Sequence, residues 1–205
     1  NAGHKAGANV FKKISKECGA RGIKYVTFYA FSTENWKRPK EEVDALMNLF
    51  KEYLLDAKAD VEESGDLSIR FIGERNGIND ELLALMDEAE ETTKNHTGTV
   101  INLAVNYGGR LEIVKAVQKL AESGADMTKI TEKDISDNIY TSNQNDPDII
   151  IRPSGEQRLS NFLLWQSAYS EFWYSDVLWP DFSKKDLYEA LHDYEKRNRR
   201  FGASE

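Results

Sequence analysis

Arg152, Arg158 and Ser160 fall within nine residues of one another, Leu159 stands between the last two, and Glu171 follows further along. Guanidinium forks match phosphate oxygens in charge and geometry, and a hydroxyl adds a further donor. A carboxylate at Glu171 can hold a hard cation against those phosphates. This grouping has the makings of a diphosphate receptor. The plainer alternative is a surface loop whose arginines pair with Glu156. The pattern points to an anion without saying which one.

A second group, Ser32-Thr33-Glu34-Asn35-Trp36-Lys37-Arg38, packs two hydroxyls, a carboxylate, an amide, an indole and a guanidinium into seven residues. Asn35 and Trp36 suit orientation of a substrate, since an amide is a very weak base. The same residues would also serve as an ordinary turn ahead of a helix starting near Pro39. His4 lies between Gly3 and Gly7 at a predicted helix start, where a donor can meet an anion or simply face solvent. His96 and His192 are scattered and read as surface residues. Cys18 has no histidine partner nearby in sequence, so nucleophilic catalysis finds no support.

The elements that must carry these groups follow from the apolar pattern. Ile149 to Ile151 reads as a buried strand ending on Arg152, and Pro153-Ser154-Gly155 breaks it. Ser160 or Asn161 is expected to cap a helical run, Phe162 to Trp165, with its amides aimed at the loop. Upstream, helices are expected at Lys5–Glu17, Lys40–Glu62, from Asp80 as cap to Lys94, and after Asn106-Tyr-Gly-Gly-Arg110 through Ala121. Strands are expected at Tyr25–Phe31, too apolar for an open face, at Leu67–Ile72 nearer an edge, and at Val100–Val105. Gly108-Gly109 at a strand-to-helix turn serves either close backbone packing or ligand contact. Thr131 with Asp134 resembles a capping box for a helix to Tyr140, and Asp186 to Arg197 is helical in pattern. On the helix from Lys40, Val43, Leu46, Met47, Phe50 and Leu54 form a wide apolar stripe, fit for core packing or for lining a channel. Alternation of strands and helices predicts an α/β fold with a largely parallel central sheet flanked by helices. Ligands then bind beyond the strands' carboxyl ends, so the two polar loops are expected to face one crevice.

The chain has 205 residues, 40% hydrophobic and 30% charged, which suits a single globular domain. A net charge of −8 argues against nucleic-acid binding by phosphate neutralisation and leaves a local basic pocket for a small anion. One cysteine excludes a disulfide framework. No apolar run approaches membrane-spanning length, and a cytoplasmic protein is expected. The sequence starts at Asn1 without methionine, directly at a predicted helix, so an upstream segment is expected.

Phe31-Ser-Thr-Glu-Asn-Trp-Lys-Arg-Pro39, Asn106-Tyr-Gly-Gly-Arg110, Ile151-Arg-Pro-Ser-Gly-Glu-Gln-Arg-Leu-Ser-Asn-Phe-Leu-Leu-Trp-Gln166 and Leu178-Trp-Pro-Asp-Phe182 resemble the signatures of the cis-prenyltransferases, most closely the bacterial enzymes. The likeness runs over essentially the whole chain, in the family's order. It implies a homodimeric, Mg2+-dependent transferase that condenses isopentenyl diphosphate onto farnesyl diphosphate, making a long cis-polyprenyl diphosphate for the cell-wall lipid carrier. It implies that Arg152, Arg158, Leu159 and Ser160 bind isopentenyl diphosphate and that Glu171 holds Mg2+. His4 would meet a substrate phosphate, Ser32, Thr33, Glu34, Trp36 and Arg38 would line the site, and Asn35 would serve the proton transfer. The long helix from Lys40 would wall a hydrophobic tunnel with its floor near Thr99 and Ile101. The tail Arg200-Phe-Gly202 would reach a partner's site, and transient association with a membrane surface is expected.

Two departures stand out. The family's opening strand and Met-Asp-Gly-Asn-Gly-Arg-Trp-Ala segment, with its Mg2+-binding aspartate, is absent, so the 205 residues alone are expected to be badly impaired. Gln157 stands where some relatives carry a histidine, which leaves metal contact there in doubt. A non-catalytic partner subunit of a heteromeric cis-prenyltransferase is the alternative reading.

Overall fold

The computed structural model describes residues 2–64 and 66–198, with backbone alone for 2–5 and 56–64. In chain order these form α1 (Ala2–Ala20), β1 (Tyr25–Ser32), α2 (Lys40–Ser64), β2 (Ser68–Ile72), α3 (Asp80–Thr93) and β3 (Val100–Tyr107). Then follow α4 (Gly109–Glu122), α5 (Glu132–Ser136), β4 (Ile149–Arg152), β5 (Glu171–Tyr174) and α6 (Lys184–Glu195). The chain divides into two units, one of residues 18–145 and one of residues 1–17 with 146–205.

The larger unit is built on β3. It lies between β1 and β2 and pairs with both in parallel, Val26 and Ile69 each opposite Ile101. With a neighbour on each edge and helices over the sheet, β3 is buried from Ile101 to Tyr107, which its near-continuous apolar run requires. Asn102 breaks that run and is fully buried. Its amide donates to Thr27 Oγ1 at 3.1 Å and Gln144 Oε1 at 2.6 Å, so neither donor is stranded. The expected edge position of Leu67–Ile72 holds in β2. The expectation for β1 does not: Tyr25 to Tyr29 are half-buried, and Phe31 alone is buried. β1 is itself an outer strand of the described sheet, and its register with β3 slips at Ala30, a bulge that disrupts the ladder.

Helix α3 packs on β2 and α2. Its cap is Asn79, whose Oδ1 accepts the Leu82 N–H at 2.8 Å, rather than Asp80, which is already the first helical residue. The Thr131–Asp134 capping box forms, but the helix it starts ends at Ser136 and the chain turns on to Tyr140. On α2, Val43 and Leu54 are buried, whereas Leu46, Met47 and Phe50 are half-buried.

In the smaller unit, β4 and β5 pair in parallel, Ile149 opposite Glu171 and Arg152 opposite Tyr174. Trp179 stacks on Phe182 at 5.6 Å between ring centres, and its indole N–H donates to the Gly7 carbonyl at 3.2 Å, tying α1 to the segment ahead of α6. Glu17 on α1 accepts the Tyr188 hydroxyl and pairs with Lys184 at 2.6 Å.

Gly73, just after β2, has φ +123°, and a Cβ there would sit 2.1 Å from the Val105 carbonyl oxygen. Gly124 also has positive φ, +80°, but nothing lies within 4 Å of its missing Cβ. Gly73→Ala is therefore expected to cost at least about 3 kcal/mol in urea unfolding, while Gly124→Ala costs about 1 kcal/mol. Equal losses at the two positions would contradict the close approach.

Candidate active site

Strand β4 ends on Arg152, whose side chain is half-buried. Its Nε is buried, and among the described residues no carboxylate or carbonyl accepts from the guanidinium. A buried charged donor left in this state costs free energy that an incoming anion would recover. The turn beyond it is fixed rather than loose. Ser154 and Gly155 both take positive φ, +74° and +72°. Their N–H groups donate to Val177 at 2.8 Å and Ser175 at 2.9 Å. Pro153, which lacks an N–H, interrupts the strand here as expected.

Arg158 differs from Arg152. It is exposed, and Glu156 pairs with it, so the plainer alternative holds for this arginine. The helix expected from Phe162 to Trp165 does not form. Ser160, Asn161 and Leu163 all have positive φ, +50°, +64° and +43°, which no right-handed helix accommodates. The segment is a series of turns leading into a 3-10 helix, Gln166–Tyr169, and offers no capped row of amides to an anion. Ser160 stays exposed and Leu159 half-buried.

Glu171 opens β5, a strand that its aromatic run Phe172-Trp173-Tyr174 could have signalled. Its Oε2 accepts from Arg197 at 2.7 Å, and Arg197 also binds Asp193 at 2.7 Å. Glu171 Oε1 has no partner among the described residues. No group of three or more His, Cys, Asp or Glu side chains capable of holding a metal occurs among the described residues. Glu171 Oε1 is thus one open carboxylate oxygen, a donor of the kind a hard cation takes.

In the larger unit, β1 runs into a 3-10 turn, Thr33–Lys37. Asn35 folds back so that its Oδ1 accepts the Ser32 N–H at 2.9 Å, and its Nδ2 has no partner among the described residues. This amide therefore presents donors outward. Thr33 Oγ1 donates to Glu34 at 3.1 Å, and Arg38 pairs with Glu42 one turn into α2 at 2.6 Å. The Trp36 ring meets Phe31 edge-on at 5.0 Å, and its indole N–H donates to Asn106 Oδ1 at 2.7 Å.

Asn106, quoted in the sequence only as part of a motif, proves to be a hub at the carboxyl end of β3. Next to it, Gly108 caps α4 and Gly109 is buried, which favours close packing for the glycine pair. Tyr107 donates to Glu112, which is buried and also accepts the Tyr140 N–H at 3.0 Å. Tyr140 in turn donates to Glu74. Burial, then the Glu74 carboxylate, pushes the Tyr140 hydroxyl far above the usual phenol range, so it remains a proton donor at all ordinary pH. His96 is half-buried with Nδ1 2.9 Å from the Leu67 carbonyl, and His192 is exposed. The side chain of His4 and the tail at Arg200 lie outside the described residues.

The larger unit is a parallel α/β sheet with a polar loop beyond β1, and the smaller carries a parallel strand pair ending on an arginine without an anionic partner among the described residues, an arrangement of the α/β class. Residues 1–202 match the family described as "Putative undecaprenyl diphosphate synthase". The isoprenyl transferase of Clostridium tetani is 50% identical over 98% of this chain and 80% of its own length, and that of Lactococcus lactis is 45% identical over 98% and 83%. Among solved structures, lavandulyl diphosphate synthase from Lavandula x intermedia, in complex with dimethylallyl diphosphate, superposes with TM-score 0.93. It is 37% identical, covering 98% of this chain and 88% of its own. The "probable undecaprenyl diphosphate synthase" from Campylobacter jejuni superposes with TM-score 0.87 at 31% identity, covering 97% and 93%. The chain belongs to the undecaprenyl diphosphate synthase family of isoprenyl transferases.

The Arg158–Glu156 pair is solvent-exposed, so breaking it releases a guanidinium at a cost of less than about 1 kcal/mol. Glu156→Gln is expected to tighten binding of inorganic diphosphate about two- to fivefold by calorimetry. Unchanged or weaker binding would show that Arg158 takes no part.

Proposed function

We propose that this protein elongates an allylic diphosphate, farnesyl diphosphate, with isopentenyl diphosphate units, giving a long cis-polyprenyl diphosphate that feeds the cell-wall lipid carrier. The observation that carries this reading is the guanidinium of Arg152, half-buried, without an anionic partner among the described residues, in a chain whose family handles prenyl diphosphates.

In each cycle the terminal alkene carbon of isopentenyl diphosphate bonds to the allylic carbon bearing diphosphate. That carbon–oxygen bond breaks, diphosphate leaves with the electron pair, and the isopentenyl unit loses a proton from its second carbon. Arg152 and Arg158 grip the isopentenyl diphosphate, with Ser160 adding a hydroxyl and Leu159 an apolar contact. Ser32, Thr33, Glu34, Trp36 and Arg38 line the allylic side, and His4 meets a substrate phosphate. Asn35 acts in the proton transfer through its outward Nδ2, holding the diphosphate oxygen or water that takes the proton, because an amide alone is too weak a base. Mg2+, when bound at Glu171 with the diphosphates, would neutralise charge on the leaving group.

The product chain needs a dry apolar surface. Leu46, Met47 and Phe50 on α2 are only half-buried, and Phe71 lies 6.1 Å from Phe50 between ring centres. These side chains support a tunnel reading, in which each buried CH2 adds about 0.8 kcal/mol. Its floor near Thr99 and Ile101 would set product length. No helix among the described residues is long and apolar enough to cross a membrane. Transient association with a membrane surface, where an apolar product would be handed over, belongs to the same proposal. The homodimer is part of the same proposal. So is a requirement for an aspartate segment of the family's kind ahead of Asn1.

The test is incorporation of radiolabelled isopentenyl diphosphate into farnesyl diphosphate, comparing the 205 residues with the same chain extended by that segment. Mg2+-dependent long-chain product from the extended chain, with kcat/KM lowered about 100-fold or more in Arg152→Met, is the expected result. Silence of both chains, with isopentenyl diphosphate still bound, would replace the enzyme by a non-catalytic partner subunit.

A further inference from the structure

Through its side chain Trp36 makes one hydrogen bond and one aromatic contact among the described residues. It sits on a five-residue 3-10 turn and remains 37% exposed. Its ring touches Phe31 edge-on, and its one polar atom reaches Asn106 Oδ1. A side chain this open would sample several rotamers unless that hydrogen bond fixed it.

Asn106 is built for one orientation. Both of its amide N–H bonds are committed, to the carbonyls of Glu74 and Asn76 at 3.0 Å each, which leaves Oδ1 facing the indole. Its own carbonyl accepts the Glu74 N–H at 3.1 Å. Asn106 is 6% exposed and has φ +49°, a left-handed conformation that asparagine tolerates and most residues resist. Gly73 allows the following loop to come this close, because any Cβ there would strike the Val105 and Asn106 carbonyls. Backbone strain, saturated donors and a side-chain-free neighbour all serve a single outward acceptor.

We infer that Asn106 is a positioning residue for the transferase reaction, acting through Trp36 by locking the indole in the one orientation that presents its exposed face to the allylic substrate. The inference rests on the reading that the Ser32–Arg38 loop handles substrate. Asn106→Gly keeps the left-handed backbone and removes the acceptor, and Trp36→Phe keeps a ring and removes the donor. In the extended chain, each change is expected to lower kcat/KM about tenfold, and the double variant to lose no more than either alone. Independently, with 5-fluorotryptophan incorporated, the fluorine resonance that vanishes in Trp36→Phe is expected to shift in Asn106→Gly without any substrate present. Additive losses, or a Trp36 resonance unmoved by Asn106→Gly, would overturn the inference. The resonance decides the contact even if the wild-type chain makes no product, which would instead overturn the functional reading.

Discussion

A guanidinium buried at its Nε, with no anion beside it among the described residues, is the interaction on which the account turns. Three other cations of the smaller unit are compensated: Arg158 by Glu156, Arg197 by Glu171 and Asp193, Lys184 by Glu17. Arg152 alone of these is held in place by the fold and left to an outside partner. Its position follows from the strand that carries it. β4 pairs in parallel with β5, Ile150 is its one buried residue, and the turn after it is stapled by two backbone hydrogen bonds to residues 175 and 177. A donor so fixed gives up little conformational entropy when a diphosphate arrives, which is where preorganised sites gain affinity.

The larger unit applies the same principle with neutral groups. β3 is so thoroughly buried that each polar side chain on it must find partners, and Asn102 and Asn106 both do. Asn102 spends its amide on internal support. Asn106 lies one pleat from the strand's end and turns the same chemistry outward, towards the loop after β1. The buried Tyr107–Glu112 and Tyr140–Glu74 contacts hold the surrounding turns, so the hub rests on a scaffold with few soft parts.

Much of this was legible in the sequence. Continuous apolar runs located the strands at Tyr25, Val100 and Ile149, alternation the one at Leu67, and helical spacing the longer helices, because those elements are set by which residues must be buried. Candidate residues stood out by type, since arginine clusters and an Asn-Trp pair have few structural uses in a loop. What the sequence did not show was conformation at single residues. Ser160, Asn161 and Leu163 read as a helix start but take left-handed backbone, which residue type alone does not announce. Asn79 and Asp80 are chemically similar caps, and the one used depends on a single dihedral. Asn106 stood in the sequence only as part of a motif; its role depends on Glu74, Asn76 and Trp36, which are 30 to 70 residues distant and send no local signal. Arg152 and Arg158 looked alike in the sequence and differ because the strand end half-buries the first, while the second is exposed and within reach of Glu156.

The most direct test of the central claim is a crystal structure with isopentenyl diphosphate bound. The account predicts diphosphate oxygens within hydrogen-bonding distance, about 3 Å, of the Arg152 guanidinium, with the turn at Ser154 and Gly155 unmoved. A diphosphate seated elsewhere, with Arg152 touching none of its oxygens, would contradict it.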